Sequence, residues 1–178
     1  MTLPSNYREV QFNNWREAVR DYKSWKRAAR TNEYVADLLY KRNRKNFEKL
    51  SRNNRNFHKI FEDLSIGRIV IMFYGLALEG YLKSTLIKHN QIEVFEPNTQ
   101  DKLNKKLTTH KLLDSFNKII DRTLTNEESV LLGNLERAIN SGKYFFEKTY
   151  NHEPYFTSLD NSVKQVKILI KEVKGLLG

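Results

Sequence analysis

The sequence predicts an all-α protein, and three observations support this fold class. Glycine and proline are scarce, with 7 and 3 residues among 178, so the chain has few turn signals and should form long elements. Neither an Asn-Gly nor an Asp-Gly hairpin turn occurs, and no long stretch alternates apolar and polar residues. Apolar residues instead recur at spacings of three and four, as in amphipathic helices. We expect a bundle of about six helices.

Residues 1–63 are predicted to form an N-terminal helical extension. Its first helix carries an apolar stripe at spacings of three and four, made of Trp15, Val19, Tyr22, Trp25 and Ala29. The sequence RTNEY, residues 30–34, is expected to interrupt this helix. The second helix carries Tyr34, Val35, Leu38 and Leu39, followed by more widely spaced apolar residues up to Phe61.

The segment 65–90 is apolar on nearly every side, which predicts a helix at the centre of a bundle. Gly75, Ala77 and Gly80 are small enough to let a neighbouring helix approach closely. Its longest uncharged apolar run, 69–78, is about half of the roughly 20 residues that span a bilayer. Because the first residues also lack the apolar region of a signal peptide, we expect a cytoplasmic protein with no membrane partner.

The remaining elements of the predicted bundle, residues 64–178, follow in order. A loop at 93–100 precedes a helical region from 103 to 120, and the sequence TNEE at 125–128 is a capping box that opens the next helix. Residues 140–156 read as an aromatic loop with Gly142 as a helix C-cap, and a last amphipathic helix covers 158–177. The extension and the bundle are expected to form one compact unit.

Charge is the strongest functional signal. The formal net charge is +10, and between residues 41 and 59 eight cations face one acid, Glu48. A localised excess of this kind favours a nucleic acid or an acidic protein as partner, although it also occurs on surfaces that only maintain solubility. Leaving Arg52 aside, the predicted nucleic-acid-binding residues are Lys41, Arg42, Arg44, Lys45, Lys49, Arg55 and Lys59.

Several chemistries have no support in the sequence. The absence of cysteine excludes disulfides, thiolate catalysis and cysteine zinc sites. The four histidines are dispersed, and no glycine-rich phosphate loop occurs, so we expect neither a metal nor a cofactor. Metal-independent cleavage of RNA remains, because it needs only a histidine base and a guanidinium that binds the phosphate. The sequence SRNNRNFH, residues 51–58, contains both residue types.

Three motifs in order resemble the HEPN superfamily (higher eukaryotes and prokaryotes nucleotide-binding). They are FYGLALEGYLKSTLIKHN at 73–90, HKLLDSFNK at 110–118 and LERAINSGKYFFE at 135–147. The resemblance implies a helical bundle that usually forms a homodimer. Many members are ribonucleases of toxin–antitoxin and antiviral defence systems, and others are not catalytic. It also implies structural roles for His110 and Tyr144. The structural roles predicted for Glu79 and Lys83 follow from their spacing: Glu79 either forms an i,i+4 ion pair with Lys83 or anchors a buried network.

Catalytic members of the superfamily share an Arg-x4-6-His motif, and Arg52, Asn53 and His58 are the residues that fit it here. In the superfamily this motif usually follows the core helix, whereas here it precedes it. In one regular helix over 44–60, Arg52 and His58 would point about 120° apart. We therefore favour an RNA-binding surface, with an endoribonuclease as the sharper hypothesis. The alternative is a non-catalytic dimerisation or interaction module that binds an acidic protein or nucleic acid.

Overall fold

The computed structural model describes residues 7–50, 57–99, 101–144 and 158–178, without the side chains of 7, 46–50, 57–65 and 141–144. Within these ranges the chain forms seven helices and no strand, which confirms the all-α prediction. An isolated bridge joins Phe95 and Leu103. The helices are α1 (Tyr7–Arg20), α2 (Tyr22–Leu50), α3 (Phe57–Lys88), α4 (Lys105–Thr108), α5 (Leu112–Ile119), α6 (Asn126–Tyr144) and α7 (Leu159–Leu177).

Helix α3 is the centre of the bundle, and α2, α5, α6 and α7 all pack against it. Tyr74, Leu78 and Tyr81 in its middle are fully buried. Among the described residues one helical segment, Ile66–Lys88, is long and apolar enough to cross a membrane, but 72% of its apolar window is buried inside the protein. That degree of burial is typical of the central helix of a bundle.

The predicted interruption at residues 30–34 is wrong, because α2 continues through them. The chain bends instead at Asp21, whose carboxylate accepts hydrogen bonds from the Lys23 amide at 3.0 Å and the Ser24 hydroxyl at 3.1 Å. Aspartate is among the preferred residues at the start of a helix, since its oxygens satisfy amides that lack a helical acceptor. The expected first stripe is therefore divided between α1 and α2, and Trp15 is 37% exposed.

Two further boundaries differ from the prediction. The helical region expected at 103–120 consists of the single turn α4 and the separate helix α5, because Thr109 is extended with φ −98° and ψ 156°. Helix α6 continues to Tyr144, so Gly142 is not its C-cap. The rest of the predicted aromatic loop, 145–156, lies outside the described residues.

The last two helix starts agree with the sequence. In the capping box the Glu128 amide donates to the Thr125 hydroxyl at 3.1 Å, and the Thr125 amide donates to the Glu128 carboxylate at 2.9 Å. Ser158 caps α7 by accepting a hydrogen bond from the Asn161 amide. Both starts were predictable because a cap depends on residues a few positions apart.

Small residues set the distance between α3 and its neighbours, as the sequence predicts. A Cβ atom added to Gly80 would lie 2.9 Å from the Cβ of Ala29, and one added to Gly75 would lie 3.0 Å from Cδ1 of Ile139. Real Cβ atoms essentially never approach another atom within 3.0 Å, so a side chain at position 80 would force the helices apart. Gly80 is therefore required where α2 crosses α3, whereas a side chain at position 75 would require the end of the Ile139 side chain to shift.

We expect Gly80→Ala to reduce the free energy of unfolding by about 1–3 kcal/mol, since the added methyl group must push α2 away from α3. Gly133→Ala on α6 is the matched control, because nothing lies within 4 Å of its added Cβ, and it should stabilise the protein by about 0.5–1 kcal/mol. Denaturant unfolding measures both changes. A Gly80→Ala protein as stable as the original would contradict the close packing.

Arg122 joins the beginning of α6 to α7. Its guanidinium donates two hydrogen bonds to Glu128, at 2.7 and 2.8 Å, and two to Glu172, at 2.8 and 2.9 Å. The Arg122 hydrogen bonds lower the pKa of Glu128 from its ordinary value of 4.5 to about 2. Because the folded pKa is depressed, the stabilisation is complete above pH 4.5 and is lost as the pH falls toward 2.

Replacing Glu128 by glutamine should therefore lower stability at pH 7 by about 1–2 kcal/mol, a modest figure because Arg122 is partly exposed to solvent. The difference from the original protein should shrink between pH 4.5 and pH 2. Thermal melts across this range measure it, with the exposed neighbour Glu127→Gln as control. An unchanged difference at low pH would exclude Glu128 as the group responsible.

Candidate nucleic-acid interface

Two carboxylates on the inner side of α2 each hold a tyrosine of α3 and a lysine of α7. Asp37 accepts the Tyr74 hydroxyl at 2.5 Å and pairs with the Lys167 ammonium at 2.6 Å. Burial alone would raise the pKa of Asp37, but the hydrogen bonds from Lys167 and Tyr74 outweigh it, so its pKa lies below the ordinary value. Asp37 is therefore an anion that Lys167 neutralises at the partly exposed edge of the bundle.

The second carboxylate repeats the arrangement one turn earlier on α2. Glu33 accepts the Tyr81 hydroxyl at 2.7 Å and the Lys174 ammonium at 3.0 Å. Burial and the hydrogen bond to Glu33 raise the pKa of Tyr81, so its hydroxyl stays a donor at neutral pH. Both acids of α2 between residues 22 and 45 thus face α3 and α7.

The outward side of α2 is consequently basic. No residue that is exposed between 22 and 45 is acidic. Seven positions three or four apart form one continuous row on this side, which we call the basic stripe: Lys23, Arg27, Arg30, Tyr34, Leu38, Lys41 and Lys45. At 1.5 Å per residue the basic stripe is about 33 Å long.

The composition of the basic stripe suits a flexible polyanion. Tyr34 and Leu38 in its middle are 63% and 49% exposed, so apolar surface lies between two groups of cations. Arg27 approaches Asp21 at 3.8 Å, but its side chain is 75% exposed, and ion pairs in such positions contribute little. Positive charge along the stripe therefore remains available to phosphates.

The structure places the predicted binding residues in three groups. Lys41 and Lys45 belong to the basic stripe, and Arg42 and Arg44 are exposed beside it, with Arg44 engaged in a contact of its own. Lys49 and Lys59 lie on α2 and α3, but their side chains are outside the described part, as is all of Arg55. Sequence reasoning missed three cations, Lys23, Arg27 and Arg30, because it separated them from Lys41 by a helix break that does not exist.

The predicted catalytic residues lie mostly outside the described residues. Arg52 and Asn53 fall in the gap between α2 and α3, and His58 is in the first turn of α3 without a described side chain. Helices α2 and α3 run antiparallel, since Ala29 contacts Gly80 whereas Asp37 bonds Tyr74. The helix assumed over 44–60 includes residues 51–56, which lie outside the described residues, so the separation of Arg52 and His58 by about 120° stays a prediction.

Glu79, Lys83 and His110 form a polar cluster at the centre of the bundle. Glu79 is 7% exposed and bonds the Lys83 ammonium, and His110 Nδ1 lies 3.0 Å from a Glu79 oxygen. A carboxylate only accepts hydrogen bonds, so His110 Nδ1 carries the proton. The i,i+4 ion pair and the network are both present, and they fasten the chain between α4 and α5 to α3. The Tyr144 side chain is outside the described part.

No metal site accompanies these groups in the part of the chain that the structure describes. There, no three histidine or acidic side chains are placed to hold an ion together. Comparisons with protein families, with curated proteins and with solved structures gave no match. The geometry of the basic stripe is therefore the basis for a functional proposal.

Proposed function

We propose that this protein binds RNA, with the basic stripe of α2 contacting the phosphate backbone. The observation that carries this proposal is the continuous row of exposed residues from Lys23 to Lys45, in which two groups of cations flank Tyr34 and Leu38 on a helix side without an exposed acid. Lysine and arginine that bind phosphates release counterions from the nucleic acid, which is the main source of affinity for such surfaces. RNA is chosen among polyanions because residues 73–147 resemble the HEPN superfamily.

The shared carboxylates support the proposal electrostatically. If Glu33 and Asp37 faced outward, they would alternate with the cations and cancel much of the positive field. Their bonds to Tyr81, Tyr74 and the lysines of α7 fix them inward instead. The chain's net charge of +10 adds a long-range attraction for an acidic polymer.

A triple variant of the basic stripe, Lys23→Gln, Arg27→Gln and Lys41→Gln, should bind single-stranded RNA up to about 100-fold more weakly at 0.1 M salt. The slope of log affinity against log salt should become less steep by about 2, because three phosphate contacts are lost. Fluorescence anisotropy with a labelled oligonucleotide at several salt concentrations measures both quantities.

The matched control removes the same charge from another part of the bundle. Lys105→Gln, Lys106→Gln and Lys118→Gln alter exposed residues of α4 and α5, and we expect less than a threefold change in affinity from this variant, as from surface substitutions generally. Equal losses in the two triple variants would mean that only net charge matters. In that case the basic stripe would not be the RNA-binding site.

We further propose that the bound RNA is cleaved without a metal by the Arg52–His58 segment. Helix α2 carries the basic stripe toward this segment, which directly follows its last turns. A histidine base and an arginine suffice for attack of the 2′-hydroxyl on the adjacent phosphate. The support is the motif spacing together with the place of the segment in the chain, just after the helix that carries the basic stripe.

We expect RNA cleavage in the presence of EDTA to leave a cyclic 2′,3′-phosphate, and His58→Ala to reduce the rate at least 100-fold by removing the base. His89→Ala is the control, because this histidine is exposed and its ring is hydrogen-bonded to the Leu176 carbonyl at the end of α7. Gel analysis of an end-labelled RNA measures the rates. If the original protein binds RNA but does not cleave it, RNA binding is supported and the proposed nuclease activity is excluded.

A further inference from the structure

Helix α1 presents aromatic rings to solvent at a place that the basic stripe does not include. Phe12 and Trp15 are stacked with ring centroids 5.8 Å apart, and they are 39% and 37% exposed. Trp15 also meets the buried ring of Phe95 edge-on at 5.9 Å. We call these three residues the aromatic patch. Phe95 fixes the position of Trp15 from below, so the exposed rings form a rigid platform.

Two arginines border the aromatic patch. The guanidinium of Arg16 lies 5.6 Å from the centre of the Phe12 ring, and that of Arg20 lies 5.0 Å from the centre of the Phe95 ring. Neither forms an ion pair with a carboxylate in the described part of the chain, and Nε of Arg16 is buried there without a hydrogen-bond acceptor. The donors of the exposed Arg20 and the terminal amino groups of Arg16 are therefore available to an anion beside the rings, whereas the buried Nε of Arg16 is not.

A cleft adjoins the patch on the side of Arg20 and Phe95. Its volume is about 630 Å³, which is within the range of small-molecule sites and large enough for a nucleotide. Asn90, Glu93 and Glu96 contribute to its wall. Carboxylates repel phosphate but accept hydrogen bonds from the amino groups of bases. The cleft thus suits a base edge, whereas the two arginines suit the phosphate.

From these contacts we infer that the aromatic patch and its cleft bind unpaired bases of a single-stranded RNA. An exposed ring offers a stacking surface to any base, and neighbouring arginines hold the backbone, as in other single-strand sites. In a duplex the bases are already stacked on each other and cannot reach the rings. This inference rests on the proposed RNA binding and adds to it a preference for single strands.

The test replaces both exposed rings by leucine, in a Phe12→Leu and Trp15→Leu double variant. Leucine keeps apolar bulk over Phe95 but removes the stacking surface. We expect affinity for a single-stranded 20-mer to fall about tenfold or more, with an unchanged salt slope and unchanged affinity for a duplex of the same length. The control is Val130→Ala with Ile168→Ala, two exposed apolar residues on α6 and α7, which should change neither affinity.

A second measurement does not depend on that double variant folding. Trp25→Phe leaves Trp15 as the single tryptophan of the chain. Stacking of a base on Trp15 should quench its fluorescence on addition of the single-stranded 20-mer, and the duplex should not. Quenching by both nucleic acids alike, or by neither, would overturn the inference.

The outcomes separate this inference from the proposed function. One outcome is that the triple variant of the basic stripe binds RNA more weakly while the leucine variant binds both RNAs with normal affinity. In that case the aromatic patch has no role in binding, and the proposed role of the basic stripe is supported. If the leucine variant binds single-stranded RNA more weakly and the triple variant binds it normally, the proposed role of the basic stripe is wrong. If the leucine variant only shifts a dimer to a monomer in light scattering, the patch is an interface between copies, and the inference is wrong.

Discussion

Glu33 and Asp37 each bind two partners at once, and the arrangement of α2, α3 and α7 depends on these shared carboxylates. Each one accepts a hydrogen bond from a tyrosine of the core helix and pairs with a lysine of the last helix. A carboxylate has enough acceptor positions for both partners, so the buried tyrosine hydroxyl and the partly exposed lysine charge are satisfied together. The same contacts decide which side of α2 faces solvent.

Close packing and polar pairing act together along α2. At Ala29 and Gly80 the methyl group of Ala29 is the one side chain at the contact, and further along the two helices are joined through Glu33 and Asp37. Packing fixes the distance between the helices, whereas the hydroxyl bonds fix their register. A helix held in both ways presents its outer residues in a constant row, and a surface that binds a repeating polymer needs such a row.

Much of the fold could be predicted from the sequence because its signals are local. The apolar segment 65–90 indicated the central helix, its small residues indicated close neighbours, and the capping box at Thr125 needed only two residues three positions apart. The bend at Asp21 was also present as a local signal, since an aspartate precedes a serine at capping distance. The stretch RTNEY has the polar composition of a break, but packing of Ala29 and Ala36 in the core keeps it helical.

The candidate site was harder to predict because it depends on contacts between distant residues. The sequence showed a cluster of cations after residue 41 but not that Glu33 and Asp37 turn toward Lys174 and Lys167, more than a hundred positions away. The sequence likewise predicted that Trp15 belongs to an apolar stripe. In the structure the bend at Asp21 leaves the Trp15 ring 37% exposed beside Phe95. Pairings of this kind follow from the assembled bundle and have no counterpart in helical periodicity.

Sharing one carboxylate among three helices also has an evolutionary consequence. A lineage that loses Glu33 leaves the Tyr81 hydroxyl and the Lys174 ammonium without their acceptor, so the remaining two positions come under pressure to change as well. Positions 33, 81 and 174 should therefore covary among descendants, and positions 37, 74 and 167 should do the same. The outer cations of α2 belong to neither triplet and can drift independently.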